Sequence, residues 1–152
     1  METFDSAKAA RVWQRVRGEA EETPRHQGLM RLIAEEWTDA AICTALSRRF
    51  QGKQAQLLRR MSEEEQAHAA CLKGIYTLLT GERPTVKAVP LSQESTEVIL
   101  RRCYGTQMRR LAEYEARSED PEHGCVYAKL AADTQEQCFR ILILLGKEPS
   151  EN

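Results

Sequence analysis

Residues 61–68, MSEEEQAH, contain Glu65-x-x-His68, a carboxylate and an imidazole three residues apart. On a helix that spacing puts both side chains on one face, about one turn apart. Both are metal-ligand types. Leu58 and Met61 before the pair, and Leu72, Ile75 and Leu79 after it, keep the same face, so the two polar groups lie in line with a core stripe. A buried glutamate needs a partner. That partner is either a metal ion or another polar group of the core. Glu36, within Ala34-Glu35-Glu36-Trp37, falls on the inner stripe of an earlier helix and poses the same choice.

The helices that position these residues follow from periodicity and punctuation. Residues 1–23 are expected to form a short amphipathic N-terminal helix, with Ala9, Val12, Trp13 and Val16 on one side, packing on a bundle formed by residues 24–146. Thr23-Pro24 is a hydroxyl cap followed by a first-turn proline. The first long helix is expected over residues 24–49, with inner residues Leu29, Leu32, Ile33, Glu36, Ala40, Cys43, Leu46 and Phe50. Gln51-Gly52 breaks it, and a second long helix over residues 53–80 carries Glu65 and His68. A third is expected over residues 93–118, with Leu100, Cys103, Gln107, Leu111 and Tyr114 inward. A fourth starts after Asp120-Pro121 and runs to Leu145, with Val126, Leu130, Thr134, Gln137, Ile141 and Leu144 inward. Gly146 ends it, and residues 147–152 form a short tail.

Residues 81–93, GERPTVKAVPLSQ, are the one substantial linker, and two prolines keep it from being helical. Extended, it reaches about 40 Å, close to the roughly 42 Å length of the second helix. It therefore fits a crossover that runs back along the bundle, between two antiparallel hairpins. The hairpins also resemble each other: the second and fourth helices end in TLLTGERP and LILLGKEP. With the core stripes superposed, Glu36 falls on Gln107, Asp39 on Arg110, Glu65 on Thr134 and His68 on Gln137. A slip of one residue in the fourth helix would turn Asp133 and Glu136 inward instead.

This arrangement resembles the ferritin-like superfamily, and within it the rubrerythrin-type proteins. The likeness covers residues 24–146 and rests on the helix order with one crossover, the internal repeat, Glu36 and Glu65-x-x-His68. It implies an all-α, ferritin-like four-helix bundle. It also implies a di-iron site, built from one Glu on each of two helices and Glu-x-x-His on each of the other two. Carried over residue by residue, the metal ligands would be Glu36, Glu65 and His68. The second half departs from the pattern, with Gln107, Thr134 and Gln137 as degenerate counterparts. Two ferrous ions need four carboxylates to balance and bridge them. Two carboxylates and one imidazole hold one ion at most.

Three functional expectations follow. In the first, the protein binds at most one divalent transition metal, iron, manganese or zinc, at Glu36, Glu65 and His68. Any chemistry would then be iron-linked oxidoreduction with oxygen or peroxide, and a small-molecule oxidant would be a partner only in the metal-loaded form. In the second, the centre is vestigial, Glu36 bonds His68, no metal binds, and the protein is a scaffold or interaction module. In the third, two chains exchange hairpins, so that two copies of Glu36, Glu65 and His68 complete a di-iron site in a homodimer.

Around the centre, Gln107, Thr134 and Gln137 are neutral polar groups at core positions and must find hydrogen bonds. Arg110 is expected on the surface, as most arginines are; the alternative is that it supplies positive charge where a metal has been lost. Cys71 is expected to be a small core thiol rather than a soft ligand, and Cys43 and Cys103 also fit core positions. His26 and His123 are expected at the surface. Trp13 and Trp37 suggest packing between the N-terminal helix and the bundle.

Composition narrows the remaining classes. The formal net charge is −1, and the arginine doublets at 48–49, 59–60, 101–102 and 109–110 lie among acidic residues, with no basic block of the kind that neutralises phosphates. No nucleic-acid partner is expected. The longest apolar run, residues 141–145, is too short for a membrane, so no membrane partner is expected. Five cysteines, an odd number without zinc-site spacing, and no signal peptide fit a reduced, cytoplasmic protein. A glycine-rich phosphate loop and a nucleophile elbow are both absent from the sequence.

Overall fold

A computed structural model describes residues 26–146. The predicted N-terminal helix with Trp13, the Thr23-Pro24 start and the tail lie outside the described residues. Those described form a four-helix bundle: α1 (Leu29–Ser47), α2 (Gly52–Thr80), α3 (Thr96–Arg117) and α4 (Gly124–Leu145). No strand occurs among them. No helix among them is long and apolar enough to cross a membrane.

Side-chain pairs fix the helix directions. Arg31 meets Glu113 at 2.6 Å near one end of α1, and Arg49, just beyond the other end, donates to Thr96 Oγ1 at 3.1 Å, so α1 and α3 are antiparallel. Arg140 meets Glu64 at 2.9 Å and His68 meets Asp133 at 3.0 Å, so α2 and α4 are antiparallel as well. Each hairpin is antiparallel within itself, which leaves α2 and α3 parallel and sends the chain back along the bundle between them. Residues 81–95 make that crossover. Extended, they reach about 50 Å, enough to return along α2, which at its length measures about 43 Å. The crossover is pinned midway, where the Val89 N–H donates to Thr38 Oγ1 at 3.1 Å.

The helix ends differ from expectation by a few residues. α3 begins at Thr96 because Ser95 caps it, its hydroxyl accepting from the Val98 N–H at 3.3 Å. Asp120 caps a turn rather than the helix: its Oδ1 accepts from the N–H groups of Glu122 and His123, and α4 starts only at Gly124. Gly81 ends α2 at φ 76°, a left-handed conformation that glycine adopts without steric cost. Gly146 ends α4 in right-handed geometry, so its role there does not depend on left-handed freedom.

Gly124 is required for a different reason. A Cβ built on it would lie 2.3 Å from the Ser118 carbonyl oxygen, where the second hairpin turns most tightly. Gly124→Ala is therefore expected to cost about 1–3 kcal/mol by overpacking. Gly74, exposed in mid-α2 with nothing within 4 Å of such a Cβ, is the control. Gly74→Ala is expected to stabilise by about 0.5–1 kcal/mol through helix propensity. Urea denaturation followed by circular dichroism measures both; equal effects at the two glycines would refute the steric account.

The core divides into two apolar lobes. One holds Cys43, Leu46, Leu58, Met61, Leu100 and Ile141; the other holds Leu29, Leu32, Leu72, Leu111, Tyr114 and Leu130. Every helix buries polar residues between the lobes: Glu36 and Asp39 on α1, Glu65 and His68 on α2, Gln107 and Arg110 on α3, Thr134 and Gln137 on α4. The bundle thus carries one polar layer across its middle.

Two residues depart from the expected stripes. Tyr127 is fully buried where Val126 was expected, with Val126 packing at the edge of that lobe. Cys71 is exposed, not a core thiol, because the stripe passes from His68 to Leu72 and leaves residue 71 outside. Cys43 and Cys103 are buried as expected, and so is Cys138. The His123 side chain is largely covered, at 14 % exposure, rather than at the surface. Trp37 is 38 % exposed, with Lys73 Nζ 4.8 Å from its ring centroid.

Candidate functional site

All six residues singled out by periodicity and repeat lie in the polar layer. Glu36, Glu65, Thr134 and Gln137 have no solvent exposure, Gln107 has 1 % and His68 4 %. The register of α4 is the one that turns Thr134 and Gln137 inward; Glu136 is exposed, and Asp133 stands at the layer's edge.

Arg110, expected at the surface, is completely buried at the centre of the layer. Its Nη2 donates to Asp39 Oδ2 at 2.6 Å, its Nε lies 3.4 Å from Glu36 Oε1, and its Nη1 lies 3.8 Å from Glu35 Oε2. The Tyr114 hydroxyl donates to the same Glu36 oxygen at 2.7 Å. Burial by itself would raise the Glu36 carboxyl; the Arg110 guanidinium, His68 and Tyr114 outweigh it and hold Glu36 below the ordinary glutamate value. For Asp39 burial prevails over Arg110, with Glu36 and Glu35 adding repulsion, and its carboxyl is pushed up to about 6. Burial opposes charge on Arg110 too, but Asp39 and Glu36 keep it firmly protonated.

Glu65 faces a different set of groups. Its Oε1 accepts from Gln107 Nε2 at 3.2 Å and from the Cys43 thiol at 3.7 Å. Burial, reinforced by the charges of Asp39 and Glu36, raises its carboxyl well above the usual range, so Glu65 holds its proton far more tightly than an ordinary glutamate. The same burial raises the Cys43 thiol well above a free thiol, which makes it a weak hydrogen-bond donor and not a nucleophile. Gln107 also donates to Gln137 Oε1 at 3.4 Å, and its own carbonyl oxygen accepts from the Cys138 thiol at 3.9 Å. Thr134 donates to the Leu130 carbonyl of its own helix at 2.7 Å.

His68 bridges the layer to its edge. Its Nε2 lies 3.0 Å from Asp133 Oδ2, and its Nδ1 lies 3.5 Å from Glu36 Oε2. Burial lowers the affinity of the imidazole for a proton; Glu36 and Asp133 more than offset it, and the imidazole is raised above the ordinary histidine value. A matching pair joins the same two helices, where Gln137 Nε2 donates to Glu64 Oε2 at 3.1 Å. In the repeat, Gln137 corresponds to His68 and Glu64 to Asp133, so the two bonds are related by the internal symmetry. Asp39 and Arg110 also correspond, and they bond to each other.

The donor set tests whether a metal centre of the kind the resemblance implies suits this layer. A two-metal centre does not fit: amides occupy the second half, and a guanidinium stands among the carboxylates that would bridge the ions. For a single ion, Glu36 and His68 are brought together, while one oxygen of Glu65 is engaged by Gln107 and Cys43. Among the described residues, no three His, Cys, Asp or Glu side chains are placed to hold a metal ion jointly. Within the layer Glu36 Oε2, Glu65 Oε2, His68 Nδ1 and the Arg110 Nε and Nη1 nevertheless make no hydrogen bond, and Glu36 Oε2 and His68 Nδ1 face each other at 3.5 Å. Each residue that the sequence marks as a ligand contributes one such atom, and Arg110 contributes two.

Periodicity alone does not assign Asp39, Asp133 and Ser62 to the layer or its edge, where the structure places them. Ser62 donates to the Ala40 carbonyl at 2.8 Å and also meets Thr44 Oγ1 at 2.8 Å, tying α1 to α2 beside the centre. Compared with known proteins, the chain matches no family model and no curated protein.

Proposed function

We propose that the protein is a ferritin-like four-helix scaffold in which an internal arginine takes the electrostatic part once played by metal ions, and that it serves as a binding or interaction module rather than as an oxidoreductase. The supporting observation is Arg110, buried without exposure and bonded to Asp39 at 2.6 Å beside Glu36. A cation at that point balances the buried carboxylates as a divalent ion would, without open coordination positions and without redox chemistry. Glu65, whose carboxyl burial pushes towards the neutral form, and the amides of Gln107 and Gln137 complete a layer held by hydrogen bonds and the Arg110 ion pairs.

Metal analysis tests this directly. Protein purified without added metal, then incubated anaerobically with ferrous iron, manganese or zinc, is expected to retain none in stoichiometric amount. Arg110→Ser is expected to acquire a melting temperature that rises with divalent metal, because its carboxylates then lack their cation. One metal per chain in the wild type, lost in Glu65→Ala/His68→Ala, would overturn the proposal. That outcome belongs to a second reading, one divalent ion held by Glu36, Glu65 and His68, which the atom left without a hydrogen bond on each of these residues favours. Such an ion would displace protons from Glu65 and His68, and calorimetry in buffers of different ionisation enthalpy would register their release.

A further inference from the structure

The bundle contains a cavity that the polar layer does not account for. It lies between the crossover and the outer faces of α1 and α3, with a volume of about 350 Å³. That is within the range of small-molecule sites, roughly 300–1,000 Å³. Its walls are mainly apolar: Ile42 from α1, Ile99 from α3, and Val89, Pro90 and Leu91 from the crossover. Ile99 and Cys103 are buried and mark the inner end, while Lys87 and Arg102 are exposed and mark the mouth.

The charges around the cavity are not equally satisfied. Arg31, Lys87, Arg102 and Arg109 line it, against Glu35 and Asp39. Glu35 is already paired with Arg31 and Arg109, and Asp39 with Arg110. Arg102 pairs with Glu94 in an exposed contact, which water screens. Lys87 makes no ion pair among the described residues, although it stands beside the opening. The unsatisfied charge at the mouth is positive, and the interior is greasy.

From this we infer that the cavity binds a small amphiphilic acid, with its apolar body against Ile42, Leu91 and Ile99 and its carboxylate at Lys87 and Arg102. An amine is disfavoured because both acidic groups of the lining already have guanidinium partners. Because the crossover forms one wall, held by the bond from Val89 to Thr38, a bound acid would also stiffen the segment that joins the two hairpins. The site stands independently of whether the polar layer holds a metal, since none of Glu36, Glu65 and His68 lines it.

Titration calorimetry on the full chain with octanoate, octanol and octylamine tests the inference, together with hydrogen exchange of the crossover amides. Octanoate is expected to bind one per chain, with a dissociation constant of about 0.1–1 mM. Octanol and octylamine are each expected to bind at least about tenfold more weakly. Lys87→Glu/Arg102→Glu, at exposed positions that spare the fold, is expected to weaken octanoate about tenfold and leave octanol unchanged. Octanoate is expected to slow exchange around residues 87–91. Octanol or octylamine binding as tightly as octanoate would overturn the assignment. Failure of octanoate to saturate would do the same, as when another segment of the chain fills the cavity, and so would saturation without protection of residues 87–91.

Discussion

Arg110→Met is expected to destabilise the protein by about 3–5 kcal/mol at pH 7, the usual cost of removing one partner from a buried ion pair. Methionine fills similar space, so the loss measures charge more than volume. Asp39 and Glu36 would be left buried without their cation; Asp39 already stands at about 6 with Arg110 present. In the variant Asp39 rises further and Glu36 loses the guanidinium that holds it low; groups raised in the folded state contribute stability below their unfolded values and lose it as pH increases. The deficit should therefore be largest at neutral pH and shrink towards pH 4. Urea denaturation at several pH values measures it. Adding Asp39→Leu and Glu36→Gln should recover most of the loss, since replacing a whole buried ionic group by neutral residues is often close to neutral. A variant within about 0.5 kcal/mol of wild type at pH 7, the range of an ordinary surface substitution, would mean that Arg110 is not the charge that holds the layer.

Glu65→Gln is expected to act in the opposite direction and stabilise the protein as pH rises. The folded chain keeps the Glu65 proton well above the ordinary value, whereas the unfolded chain releases it near 4.5. Over that window the folded state binds the extra proton, so stability falls as pH rises, by up to about 1.4 kcal/mol per pH unit from this group. Glutamine keeps the acceptor used by Gln107 and Cys43 and has nothing to ionise. Wild type and variant should agree below pH 4.5 and diverge above it, with the variant the more stable, until the folded-state value of Glu65 is passed. His68 adds a slope of the same sign at higher pH, beginning at its unfolded value near 6.5, because it too is raised in the fold. Glu36 and Asp133 are held low and act oppositely, losing their contribution under acid conditions. A Glu65→Gln variant less stable than wild type at pH 8 would mean that the carboxylate is needed in ionised form, as it would be on a metal.

The sequence reveals much of this layer because its signals are periodic. Glu36, Glu65 and His68 interrupt apolar stripes at helical spacing, and Gln107, Thr134 and Gln137 do the same at the repeat-related positions. The register of α4 followed from alignment with α2, and all six residues are buried. Arg110 escapes a sequence reading because arginine is by type a surface residue, and only its place suggests otherwise. It lies three residues after Gln107 and four before Tyr114, both on the inner stripe, and Asp39 bears the same relation to Glu36 and Cys43. Spacing alone does not say which long polar side chain turns inward; a partner of opposite sign across the interface does, and that depends on tertiary contact. The contact between His68 and Asp133 was hidden for the same reason: Asp133 sits on the flank of α4 and reaches the layer only because α2 passes beside it. Cys71 shows the opposite error, since three residues from a stripe member is only nearly the same face. The cavity beside the crossover has no periodic signature, because two helix flanks and an irregular segment build it together.

The bond between Asp39 and Arg110 joins positions that the internal repeat makes equivalent. It therefore acts as a lock that two like halves cannot form. Two copies of the first hairpin, facing each other as the two hairpins do here, would bring Asp39 against Asp39. Two copies of the second would bring Arg110 against Arg110. Either pairing buries like charges at the point where the native pairing buries opposite ones. Hairpins with similar apolar faces can exchange between chains, as identical elements do in domain swapping. One charge pair on the pseudo-symmetry axis removes that ambiguity, so each first hairpin is directed to a second hairpin rather than to another of its own kind.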